Sequence, residues 1–172
     1  MKINLLLLIL ITALAGLWTY LDQQKHTPNM SLPHYTDFEF NTLDGKKHTF
    51  YDYENKVTFV HFWATWCTPC LKELPELVKL AEKHPDTLTV LAFAVADKPK
   101  KIERFLSNLE ISIPYNFITA LDTDKRISEK NFKTKKLPET FIFKPRFILY
   151  DKIIGAEDEW NSPKWDKYID NL

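Results

Sequence analysis

Glycine is scarce in this chain: three among 172 residues, with no Gly-x-Gly anywhere. That disfavours the glycine-rich loops that cradle phosphates. Net charge is missing too. Lys plus Arg and Asp plus Glu each number 23, so no net field of one sign argues for a polyanionic partner such as nucleic acid. Cysteine is the third shortage, limited to Cys67 and Cys70. A small secreted domain stapled by disulfides would carry more of them, spread along the chain. A bridge between positions three apart closes too short a loop to stabilise a fold much. The pair therefore serves chemistry or a metal. A zinc site would need two further cysteines or suitably spaced histidines, and His26, His34, His48, His61 and His84 show no His-x₃₋₅-His spacing.

Core material, in contrast, is ample: 45% hydrophobic and 14% aromatic residues, twelve of them Phe. The first thirty or so residues read as address and tether, leaving about 140 for one ordinary domain. A chain of that size folds without metal or disulfide staples. No internal repeat or low-complexity tract interrupts it.

Residues 3–21 (INLLLLILITALAGLWTYL) carry no charge. At about 1.5 Å per residue they nearly span a hydrocarbon core of about 30 Å. Lys2 precedes the run, Asp22 and Lys25 follow it, and Trp18 and Tyr20 sit where an interfacial aromatic belt would lie. Residues 1–22 are thus expected to be a single-pass anchor in the cytoplasmic membrane. The alternative is a signal peptide cleaved after Ala13-Leu14-Ala15. Both deliver the rest of the chain to the periplasmic or extracytoplasmic side, and the run has no Cys for lipid attachment. Residues 23–33 are polar and proline-containing and read as a linker, with the domain at 34–172.

Asp44-Gly45, between the alternating stretches 38–40 and 47–50, signals a hairpin. Val57–Trp63 (VTFVHFW) and Leu88–Ala96 (LTVLAFAVA) read as strands buried on both faces. Helices are expected from the cysteines to about His84, over 100–109, 124–132 and 163–172. Residues 113–118 are expected to be extended, and 141–143 and 147–154 to form antiparallel strands about a turn at 144–146. The expected fold class is α/β, a mixed central sheet flanked by helices.

Strand, short turn, Cys-x-x-Cys, helix places Cys67 at a helix N-terminus. Exposed N–H groups and the macrodipole there favour an anion. A free thiol of pKa about 8.5 is mostly protonated near neutrality, and this position lowers the value and makes Cys67 the nucleophile. Cys70, one turn deeper, can resolve a mixed disulfide. Pro69 in the first turn costs no hydrogen bond.

The segment Phe62-Trp63-Ala64-Thr65-Trp66-Cys67-Thr68-Pro69-Cys70 resembles the active-site signature of the thioredoxin superfamily, in its TlpA-like (ResA/CcmG-type) branch. The likeness runs from about Phe38 to Gly155 and includes Leu137-Pro138-Glu139-Thr140-Phe141, similar to that branch's cis-proline segment. The resemblance implies a thioredoxin-like fold with a cis peptide before Pro138. It implies a thiol–disulfide oxidoreductase with Cys67 and Cys70 as redox-active disulfide and no cofactor or metal. Substrate would meet Trp66, Leu137 and Pro138. The implied partners are a protein thiol or disulfide and a membrane-embedded electron donor, in a reductive role such as cytochrome c maturation. Glu73 matches a glutamate bordering the active site in ResA-like members, implying a catalytic proton-handling role; the other reading is a solvated residue beside Lys72. His61 stands where thioredoxin has a buried acid, and could be a neutral base or a hydrogen-bonded core residue. Two other classes remain: a metal-handling Sco-like protein, against which the two-residue Cys spacing counts, and a peptide-binding module without turnover.

Overall fold

The computed structural model describes residues 12, 14, 16, 17 and 38–172. Most of the apolar run at 3–21 and all of the linker at 23–33 lie outside the described residues. Among the described residues no helix is long and apolar enough to cross a membrane. By compactness the chain divides into Met1–Pro33 and His34–Leu172. In the first unit, Thr12, Leu14, Gly16 and Leu17 are helical. The rest concerns the second.

Seven strands form one mixed sheet. They are β1 (Glu39–Thr42), β2 (Lys47–Thr49), β3 (Val57–Trp63), β4 (Leu88–Val95), β5 (Phe117–Asp122), β6 (Glu139–Lys144) and β7 (Ile148–Ile154), in the order β2-β1-β5-β4-β3-β6-β7. Strands β3, β4 and β5 run parallel, while β1, β2, β6 and β7 pair antiparallel. The hairpin expected at Asp44-Gly45 joins β1 to β2, with Gly45 at φ +81°, a conformation that suits glycine. Helices α1 (Thr68–Lys83) and α2 (Pro99–Ser107) are the crossovers between the parallel strands, and α3 (Pro163–Asp170) closes the chain.

Both faces of the sheet are covered, though not alike. Alternation along β3 sends Val57, Phe59 and Trp63 to one face, where they meet Leu74 and Leu77 of α1, Ile102 of α2, and Trp165 and Ile169 of α3. All three α-helices thus share one face. Val60 and Phe62 point to the other, into an aromatic cluster with Phe50, Phe93, Phe132, Phe141 and Phe147 supplied largely by short turns. Phe50 stacks on Phe147 with centroids 4.3 Å apart. Each such buried ring or leucine stabilises the fold by about 1.5–3 kcal/mol.

Two local expectations need correction. Extended structure begins at Phe117 rather than at residue 113. The Asn116 amide is spent bridging the carbonyls of Ala81 and Leu88 at 2.8 and 2.9 Å, and Phe117 N–H closes a turn onto Pro114 O. The helix expected over 124–132 is present but shorter and of π type, spanning Arg126–Asn131. The buried Asp122 carboxylate fixes its start by accepting from Ile127 N–H and Ser128 N–H at 2.9 and 2.8 Å.

Candidate active site

The site lies at the C-terminal end of β3. The chain leaves the sheet at Trp63, and Thr65 N–H donates to Asp97 Oδ2 at 2.6 Å, clamping the turn to the end of β4. The same carboxylate accepts Lys98 N–H through Oδ1 at 2.8 Å. Cys67 is the N-cap of α1, in extended backbone at φ −99°, and its Sγ accepts from Cys70 N–H at 3.4 Å. Cys67 and Cys70 are disulfide-bonded, with Cα atoms 5.3 Å apart. Cys67 keeps 7% of its surface exposed and Cys70 none, so a partner can reach only the first sulfur. A thiolate at Cys67 would face the positive end of a sixteen-residue helix.

The Leu137–Pro138 peptide is cis. Leu137, Trp66 and Cys67 line one cleft of about 430 Å³, so the fold brings the CxxC turn and the segment before β6 to a shared opening. Trp66 is 59% exposed there. Pro138 is buried, and its carbonyl accepts Gly155 N–H at 2.9 Å, tying the proline loop to the end of β7. Gly155 sits at φ +101°, open to glycine and strained for other residues.

Glu73 is not a solvated surface residue. Cys70, Glu73, Leu74, Leu77 and Val78 form the buried stripe of α1, and Glu73 is 1% exposed. Its Oε2 accepts Glu157 N–H at 2.7 Å and Trp160 Nε1–H at 3.1 Å. Its Oε1 faces His61 Nε2 at 3.6 Å, beyond a good hydrogen bond, and neither of those two atoms has another partner. His61 is fully buried, its Nδ1 2.8 Å from Thr140 Oγ1 on the neighbouring strand β6. Burial pushes the Glu73 carboxyl up to about 7, against two hydrogen bonds that favour the ion and with Asp158 and Glu157 adding repulsion. Burial likewise pushes His61 down to about 3. Near neutrality His61 is therefore uncharged, and the pair is not an ion pair. A base with pKa near 7 suits proton transfer at neutral pH better than one near 3, which ranks Glu73 above His61 as a proton acceptor.

Two residues and one contact in this geometry escaped the sequence reading. Asp97 clamps the turn, Trp160 donates to Glu73, and His61 and Glu73 meet. The last was accessible: His61 shares parity with Phe59 and Trp63 in β3, and Glu73 follows Cys70 by three on the helical stripe that packs on that face. Asp97 and Trp160 join through long-range contacts with no local signature. Among the described residues, no three of His, Cys, Asp and Glu converge so as to hold a metal ion.

Residues 32–152 match the AhpC/TSA family. The thioredoxin-like protein YneN of Bacillus subtilis is 30% identical over 123 residues, 70% of this chain and 69% of its own length. The thiol-disulfide oxidoreductase ResA of Bacillus cereus is 25% identical over 159 residues, 90% of this chain and 87% of its own. A secreted Mycobacterium tuberculosis disulfide oxidoreductase homologous to E. coli DsbE superposes with a TM-score of 0.66 at 20% identity, over 78% of this chain and 96% of that one, a likeness of fold. That fold is thioredoxin-like, and Cys67 and Cys70 form a Cys-x-x-Cys disulfide within it. The chain belongs to the AhpC/TSA family, among the ResA-like thiol–disulfide oxidoreductases of the thioredoxin superfamily.

Proposed function

We propose that this enzyme is an extracytoplasmic reductase of protein disulfides, held to the cytoplasmic membrane by residues 1–22. One observation carries the division of labour: Cys67 is the helix cap with some exposure, whereas Cys70 is sealed. The reduced enzyme's Cys67 thiolate attacks one sulfur of the partner's disulfide, forming a Cys67–partner disulfide and releasing the partner's first thiolate. Cys70 then loses its proton and attacks Cys67 Sγ. The Cys67–Cys70 disulfide forms and the partner's second thiolate leaves, so two electrons pass from enzyme to partner. Glu73, one helical turn beyond Cys70, receives the Cys70 proton, and His61 keeps the face of Glu73 opposite its two N–H donors free of a cation. Trp66 and Leu137 form the platform on which an extended substrate strand lies, and the buried cis-Pro138 sets Leu137 in place.

The reductive direction, cytochrome c maturation as the setting and a membrane-embedded donor that resets the disulfide follow from the TlpA-like resemblance. The tether reading is supported by the nineteen uncharged residues at 3–21. In the reduced full-length chain, iodoacetamide at neutral pH should label Cys67 before Cys70, and Cys67→Ser should abolish insulin reduction. Preferential labelling of Cys70, or turnover by Cys67→Ser, would reverse the assignment. A Cys70→Ser variant should accumulate the mixed disulfide in cells, and the protein attached to it names the substrate.

A further inference from the structure

The zero net charge of this chain conceals an uneven distribution. Residues 98–101 (KPKK) follow β4 and residues 123–136 (TDKRISEKNFKTKK) follow β5. Together these two segments hold nine cations against two acids, Asp124 and Glu129. The nine cationic side chains are exposed. Because β3, β4 and β5 are parallel, both segments leave the sheet at the end that carries Cys67.

Three of these cations, Lys125, Lys135 and Lys136, line the cleft that Cys67, Trp66 and Leu137 open onto. Glu129 lines it as well and lies 3.8 Å from Lys125 Nζ, which offsets one of the three. Lys135 and Lys136 form no ion pair with any described residue. The nearby buried acids are already committed: Asp97 accepts two backbone N–H groups, Asp122 two more, and Glu139 is paired with Lys152 Nζ at 2.8 Å. None of the acidic residues 157–159 lines this cleft, and Glu157 N–H is bound to Glu73 on α1. The opening beside the exposed sulfur is thus a concave, lysine-walled surface with unspent positive charge.

We propose that this cleft selects protein partners whose reactive cysteine is flanked by acidic residues. Charge complementarity identifies the occupant. An extended segment bearing Asp or Glu within a few residues of its cysteine puts carboxylates against Lys135 and Lys136 as its sulfur meets Cys67. A basic segment meets repulsion at the same place. Such steering acts mainly on encounter, so it changes the second-order rate constant and weakens with salt. It rests on the exchange reaction proposed for Cys67 and names the substrate class for that site.

The test uses the reduced full-length chain in nonionic detergent with three probes. One is a Cys-x-x-Cys peptide disulfide flanked by Glu on both sides, the second its Lys-flanked counterpart, and the third neutral 2-hydroxyethyl disulfide, to which each variant's peptide rates are normalised. At low salt the Glu peptide should be reduced roughly tenfold faster than the Lys peptide. The ratio should shrink at about 0.5 M salt, where the screening length falls to a few ångströms. In a combined Lys125→Gln, Lys135→Gln and Lys136→Gln variant it should approach one. Equal rates in the wild type, or a preference that survives in the triple variant, would overturn the inference while leaving the exchange reaction standing. Failure to reduce 2-hydroxyethyl disulfide at all would overturn both. Phosphatidylserine vesicles that bind the wild type and not the triple variant, together with equal peptide rates, would assign the lysines to a membrane and likewise overturn it.

Discussion

Replacing Glu73 with Gln should change how stability depends on pH, and the sign follows from the two buried groups that face each other. Glu73 titrates near 7 in the folded protein instead of its ordinary 4.5. Between those values the folded chain holds a proton that the unfolded chain has lost, so Glu73 makes stability fall as pH rises. His61 titrates near 3 instead of 6.5. Between those values the unfolded chain holds the extra proton, so His61 makes stability rise with pH. Each slope is about 1.4 kcal/mol per pH unit, and from about pH 4.5 to 6.5 they cancel. Gln removes one side of the balance. Its oxygen can keep the N–H groups of Glu157 and Trp160, while its amide nitrogen faces His61 Nε2, so the fold tolerates it. Relative to wild type, Glu73→Gln should therefore gain about 3 kcal/mol of stability between pH 4.5 and 6.5. Urea unfolding of the oxidised chain, followed by circular dichroism at three pH values, measures this. The remaining titratable groups drop out of the difference. Parallel stability curves for the two proteins would refute the proton linkage at the His61–Glu73 contact.

Two further outcomes follow from the same site. If Glu73 takes the Cys70 proton, Glu73→Gln should slow resolution of the mixed disulfide at least tenfold near pH 7, within the usual reach of general base catalysis. The initial attack by Cys67 should be nearly unchanged; rapid mixing with a fluorescent disulfide separates the steps, and resolution within about twofold of wild type from pH 6 to 8 would end the role. Asp97→Ala should cost about 2–3 kcal/mol by urea unfolding at pH 7, since the N–H groups of Thr65 and Lys98 both lose their acceptor, and a loss under about 0.5 kcal/mol would mean that the clamp contributes little.

Much of the frame was legible because its signals are local. VTFVHFW and LTVLAFAV are so uniformly apolar that only strands buried on both faces suit them, and both lie buried along their whole length. Asp-Gly fixed the hairpin, and Cys-x-x-Cys after a strand placed the sulfurs on a helix cap. Legibility failed where a side chain overrides local pattern. Asn116 binds two distant carbonyls and delays β5, and Asp122 reaches five and six residues ahead, holding the start of a helix that is shorter than expected and of π type. Charge distribution was hidden by the net balance, since the basic segments become a cleft wall only once β4 and β5 are seen to end beside Cys67.

Two buried glutamates sit in opposite electrostatic surroundings. Glu139, fully buried beside Pro138, receives Lys152 Nζ at 2.8 Å and Lys135 N–H at 2.9 Å. This buried carboxylate is given a cation and a donor, and removing either partner would leave it without compensation. Glu73 is buried as deeply but receives no cation from any described residue. It has two N–H donors on one oxygen, an uncharged imidazole opposite the other, and the acidic residues Glu157 and Asp158 near it. Were Glu73 present for stability alone, a lysine in place of His61 would serve better, or a leucine in place of Glu73 itself. An environment that withholds the cation while keeping the carboxyl dry raises its proton affinity toward neutrality, which fits the proposed role of taking up and releasing the proton of the sealed thiol one turn away.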